Sequence, residues 1–145
     1  MLNISTVTCH IGKEEILYVT WVDYDPFMKF NFEMYFFELI ERINQSGIRK
    51  LILDCSCRKK DPSEYDFKEI YALFLSGLNT TGLKKMARIR PIALTTNANF
   101  DGHLKEIRAN LNLSFELCSF NSVDEAFAWL REENYQFRTN AQRSA

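Results

Sequence analysis

Ser46-Gly47-Ile48-Arg49-Lys50-Leu51-Ile52-Leu53-Asp54 is the stretch that decides how this chain reads. Leu51-Ile52-Leu53 is a short apolar run closed by Asp54, the pattern of a strand buried on both faces. Gly47 stands just ahead of it, where a helix-ending glycine belongs. Helical spacing runs back from about Ser46 to Pro26, and a proline is tolerated in a first helical turn. A helix, a glycine stop and a buried strand in succession predict alternating α and β elements.

Toward the N-terminus, residues 3 to 11 and 15 to 23 predict two strands joined at Gly12-Lys13-Glu14, a hairpin. Ile16, Leu17, Val19, Trp21 and Val22 give the second its β-branched and aromatic character. Toward the C-terminus, Asp61-Pro62-Ser63-Glu64 predicts a helix start, with the helix reaching about Leu78. A strand is expected within Met86 to Thr95, with Pro91 placing it at an edge, or splitting or bulging it. A third helix is expected over residues 101 to 111 and a last strand over Ser114 to Phe120. Ser122-Val123-Asp124-Glu125 is a capping box that opens a final helix to about Glu133. The predicted order is β-β-α-β-α-β-α-β-α, an α/β fold in which an N-terminal hairpin precedes a mixed, mostly parallel sheet with about four helices.

The chain has 145 residues, 46% hydrophobic and 26% charged, enough to bury a core and too few for two ordinary domains. One domain over 1–133 is expected, with a polar tail over 134–145. A net charge of −1 supplies no field to draw nucleic acid or an anionic membrane, so neither is an expected partner. The N-terminus lacks a basic segment followed by an apolar run, so the expected location is cytoplasmic and the 4 Cys are expected as thiols.

The order, the 46–54 segment and Phe120-Asn121-Ser122-Val123-Asp124-Glu125-Ala126-Phe127-Ala128-Trp129-Leu130 together resemble the STAS-like, or anti-sigma-factor-antagonist-like, domains of small bacterial proteins. The resemblance covers roughly residues 3 to 133, and it implies a regulatory, protein-binding role. In that family a strand-ending Asp-x-Ser leads to an Asp-Ser-Ser-Gly turn whose first Ser is phosphorylated. Asp54-Cys55-Ser56 matches the first part. Asp61-Pro62-Ser63-Glu64 sets Ser63 near the acceptor position, but it lacks the second Ser and the Gly.

The first helix carries the most informative pattern. At 100° per residue, Met28, Phe32, Tyr35, Leu39 and Ile43 form a core-facing stripe. Phe27, Phe30, Met34 and Phe37 form a second stripe on nearly the opposite side, continued by polar Glu41, Asn44 and Gln45. A helix on a sheet needs one apolar face, so the second calls for a cover: the hairpin, the tail, a second copy, another protein or an apolar ligand. These four residues are the candidate interface, for a protein partner or for a homodimer.

Arg58, Lys59, Lys60 and Ser63 are the candidate anion or phosphoacceptor site, between a strand end and a helix start. They frame the alternative function, a small-molecule-binding protein for an apolar or anionic ligand. Lys84, Lys85, Arg88 and Arg90 form a second basic group at the other end of the sheet. Alternation sets Arg88 and Arg90 on one face, which is therefore expected to be partly open.

Asp23, Asp25, Asp54 and Thr95 or Thr96 imitate part of a phosphate-receiver site, but the last strand ends without the required Lys and the opening hairpin is foreign to that fold. Cys55 and Cys57 fall short of a four-ligand metal set, even with Cys9 and His10 nearby in type. His10 and His103 have no nucleophile elbow or glycine-rich phosphate loop to work with. No enzyme, no metal and no cofactor are expected.

Overall fold

A computed structural model describes residues 4–21, 29–57, 64–92 and 97–132. Within them the chain runs β1 (Ile4–Ile11), β2 (Glu14–Trp21), α1 (Lys29–Ser46), β3 (Lys50–Asp54), α2 (Glu64–Leu78), β4 (Lys85–Ile89), α3 (Asn97–Leu111), β5 (Glu116–Phe120) and α4 (Val123–Arg131). The predicted order of elements is the observed one.

The hairpin forms because Gly12 adopts a positive φ of 61° at the first of its two turn positions, a conformation that costs other residues a steric clash. Ile11 then pairs with Glu14 and Ile4 with Trp21, in antiparallel register. Helix α1 ends on Gly47, at φ 65°, and the Ile48 N–H donates to the Ile43 carbonyl at 3.2 Å. With this six-residue closure Ile48 is buried in the core. Helix α4 starts at Ser122, whose hydroxyl accepts the Glu125 N–H at 3.2 Å, a cap contributing about 1 kcal/mol. The Glu125 carboxylate reaches back to the N–H of Asn121, one residue earlier than a strict capping box requires.

The five strands lie in chain order, β1-β2-β3-β4-β5, antiparallel at β1–β2 and parallel thereafter. Every parallel crossover therefore steps one strand in the same direction, and right-handedness puts α1, α2 and α3 on one face. Their core includes Leu17, Val19, Trp21, Phe36, Leu51, Leu53, Phe74, Met86 and Leu117. Helix α4 follows the last strand and covers the other face, where Ile16, Ile52, Ala87 and Ile89 meet Ala126, Trp129 and Leu130. Strand β3, central and covered on both sides, buries every residue. Leu51, Ile52 and Leu53 each contribute about 1.5–3 kcal/mol by leaving water.

Two expectations change. Strand β4 pairs with both β3 and β5, so it is central rather than an edge. It tolerates Pro91 because it ends at Ile89; the Arg90 N–H still donates to the Phe120 carbonyl at 2.8 Å, and Pro91 is the first residue beyond the ladder. Helix α3 begins at Asn97, four residues before the expected start, and takes in Ala98, a strong helix former.

Candidate functional site

Helix α1 sits on the sheet through Phe32, Phe36, Leu39 and Ile43, all buried. Trp21 on β2 is the floor beneath it: its ring stacks on Phe36 at 5.5 Å and meets Phe32 at 6.3 Å edge-on. Phe74 of α2 closes the cluster, 4.8 Å from Phe36 and 5.3 Å from Trp21. Such aromatic pairs add about 0.5–1.5 kcal/mol each beyond the area they bury. Phe32, Leu39 and Ile43 were predicted in this stripe; Met28 lies outside the described residues and Tyr35 is half-buried. Phe36 was missed, although it stands four residues after Phe32 and so on the same face.

The flanks fix the rotation of the helix. On the β1 side, Tyr35 and Thr6 share a hydroxyl–hydroxyl hydrogen bond, and Arg42 Nη2 donates to Thr8 Oγ1 at 2.6 Å. Burial pushes the Tyr35 phenol up from its ordinary pKa. On the α2 side, Ile40 lies against Gly77, where an added Cβ would come 2.2 Å from Ile40 Cδ1. The missing side chain lets the two helices approach.

With both flanks engaged, Phe30, Met34 and Phe37 point outward and are 70%, 47% and 60% exposed. No element among the described residues covers them, the hairpin included. Phe27, the fourth member of the predicted stripe, lies outside the described residues. Glu33, Glu38 and Glu41 are exposed around the three apolar side chains, and none is in an ion pair among the described residues. Leu73 of α2, also exposed, comes one turn before Gly77 as Phe37 comes about one turn before Ile40. Helices α1 and α2 both run back against the strands they connect, so they are parallel and Leu73 lies at the level of Phe37.

The C-terminal ends of the parallel strands hold a second polar constellation. The Tyr18 hydroxyl donates to Asp54 Oδ2, and the Ser56 N–H donates to Asp54 Oδ1 at 2.9 Å. Burial, followed by the neighbouring Asp54 carboxylate, pushes the Tyr18 phenol well above its ordinary range. Asp54 thereby closes the turn after β3, tying β2 to the start of the next connection. The candidate anion residues Arg58, Lys59, Lys60 and Ser63 lie outside the described residues.

The second basic group divides: Lys84 is exposed, while two of its members lie inside. Lys85 is buried, and Arg88, at 0% exposure, is the largest fully buried side chain among those described. Arg88 shares its face with Met86, beneath α2; Nε donates to the Tyr71 hydroxyl and Nη1 to Ser119 Oγ, each at 3.4 Å. The expectation of an open sheet face at Arg88 is overturned, because α2 covers it. Arg90, beyond the strand, donates from Nη1 to Asn121 Oδ1 at 3.2 Å and stays partly exposed. Cys55 is buried with Sγ 3.6 Å from the Tyr71 hydroxyl, while Cys57 is exposed. Among the described residues, no three His, Cys, Asp or Glu side chains are grouped to hold a metal, and no helix is long and apolar enough to cross a membrane.

No protein-family model matches the chain, and no curated protein matches it. Among solved structures it is similar to an anti-sigma factor antagonist from Mycobacterium paratuberculosis, with a TM-score of 0.51 and 15% sequence identity. The match covers 90% of this chain and 96% of that one. At that identity the likeness concerns the fold alone, and it agrees with the hairpin, the mixed sheet and the helices on its two faces: the chain has the STAS-like α/β fold of an anti-sigma factor antagonist.

Proposed function

We propose that this chain is a non-catalytic regulatory module that works by binding another protein through the outer face of α1. The carrying observation is the stripe of Phe30, Met34 and Phe37, exposed on a helix whose opposite face and both flanks are already engaged. Phe and Met together suit an adaptable protein contact, and large exposed aromatic side chains are typical anchors of interfaces. The STAS-like fold supports the reading, since the similar solved structure is named as an anti-sigma factor antagonist. A second copy of the chain is the other protein occupant of the same face.

The test is a photo-crosslinking amino acid placed at Met34, used in cell extract, together with light scattering of the purified chain. Crosslinking to one protein, lost when Phe30→Glu or Phe37→Ala is added and the fold is unchanged, supports the docking surface. Crosslinking indifferent to both substitutions, or absent in a monomeric chain, overturns it.

A further inference from the structure

We propose that the protein segment received by the outer face of α1 is a basic amphipathic helix, an inference that rests on reading that face as a docking surface. Phe30, Met34 and Phe37 follow the four-then-three spacing of a seam that packs against another helix, and the next residue in that seam is Glu41. Glu33 and Glu38 take the places on either side, those through which paired helices exchange ion pairs. All three carboxylates are exposed and unpaired among the described residues. Arg42, one turn beyond Glu38, hydrogen-bonds Thr8 on β1 and makes no ion pair with these carboxylates among the described residues. From Phe30 to Glu41 the seam runs about 16 Å, at roughly 1.5 Å per residue, the length of a three-turn helix. The complementary segment therefore has apolar side chains at seam spacing, with Lys or Arg at its flanks and opposite Glu41.

The same charges disfavour a second copy. A parallel pair would bring Glu33 of one chain beside Glu38 of the other and Glu41 beside its own counterpart. An antiparallel pair would put Glu33 on the same side of the seam as its counterpart, and Glu38 likewise, while setting Glu41 against Phe30 in the seam. Like charges across an interface are a device against wrong partners. An anionic bilayer is opposed by the same carboxylates.

Two synthetic peptides of equal length and identical Leu seam, one with Lys at every flanking position and one with Glu, are titrated into the full chain by calorimetry. The Lys peptide is expected to bind on the order of tenfold tighter than the Glu peptide, and less tightly as salt is raised. Glu33→Lys/Glu38→Lys/Glu41→Lys should reverse that preference, and Phe37→Ala, with its melting curve unchanged, should weaken both peptides. Equal binding, a preference for the Glu peptide, or no binding of either overturns the basic-helix inference. If light scattering then shows a dimer that Phe30→Glu dissociates, the docking surface stands with a second copy as its occupant. If the Lys peptide binds equally to wild type, Phe30→Glu and Phe37→Ala, the docking surface falls as well.

Discussion

Lys50 and Lys85 stand opposite each other on neighbouring parallel strands, and both ammonium groups are directed into the C-terminal end of α4. Lys50 Nζ donates to the Leu130 carbonyl at 2.7 Å and pairs with Glu14 at 2.9 Å. Lys85 Nζ donates to the carbonyls of Trp129 and Glu132 at 3.2 and 3.3 Å and lies 4.8 Å from the Trp129 ring centre. The last carbonyls of a helix carry partial negative charge, and although the Glu132 N–H already donates to the Trp129 carbonyl, the two cations add bonds there, cap α4 and dock it on the sheet.

Replacing either lysine by Met should lower stability by about 1–3 kcal/mol, as a partly buried helix-end cation and its hydrogen bonds are lost. The two ammonium groups also repel each other, and each single substitution relieves that repulsion. The double substitution therefore costs more than the sum of the singles, the excess being the repulsion counted twice in the singles. Urea unfolding of the four proteins measures it; strict additivity would show the lysines act independently.

Arg88 and Arg90 separate on substitution. Arg88→Ala removes a fully buried side chain and leaves the Tyr71 and Ser119 hydroxyls each short of a bond, with an expected loss of about 3 kcal/mol or more. Arg90→Ala gives up one hydrogen bond at a partly exposed site and should cost about 0.5 kcal/mol. Equal effects on the denaturation midpoint would contradict the burial of Arg88.

Tyr18 should give the fold an alkaline limit. Its phenol is held protonated by burial and by Asp54, so its pKa in the folded state lies above the unfolded value of about 10. The folded state then keeps a proton that the unfolded state releases. The associated stability is complete below pH of about 10 and is lost as pH rises from there toward the folded pKa. Tyr18→Phe should flatten the fall of stability above that pH, leaving the part due to Tyr35 and Cys9, both of which burial also pushes up. Urea midpoints across the alkaline range, read alongside tyrosinate absorbance, decide it; identical slopes would remove Tyr18 as the cause.

The two faces of α1 should respond oppositely to change. Phe36→Ala opens a hole among Trp21, Phe32 and Phe74 and should cost about 3–5 kcal/mol. Phe30→Glu and Phe37→Glu alter side chains already in water and should stay within about 0.5 kcal/mol of wild type. A large loss at Phe30 would mean that its face is covered.

Much of the architecture was readable because its signals are local. Gly12 at a two-residue turn, Gly47 after a helical run and Ser122 three residues before Glu125 each act through their own few residues of backbone. The outward stripe on α1 was legible for the same reason: spacing alone sets Phe30, Met34 and Phe37 apart from Phe32, Leu39 and Ile43. What spacing could not supply is what lies over a face. Alternation placed Arg88 on one side of β4, yet only the pairing of β4 with both β3 and β5, and the lie of α2 across them, turned that side into interior. Lys85 read only as one of a basic group, and it is α4, more than thirty residues later in the chain, that brings terminal carbonyls to it. The sequence by itself determined which residues share a helix face or a strand face, because that depends on the repeat of the backbone. Tertiary structure decided which of those faces meet protein and which meet water, because burial depends on elements that are distant in the chain and adjacent in space.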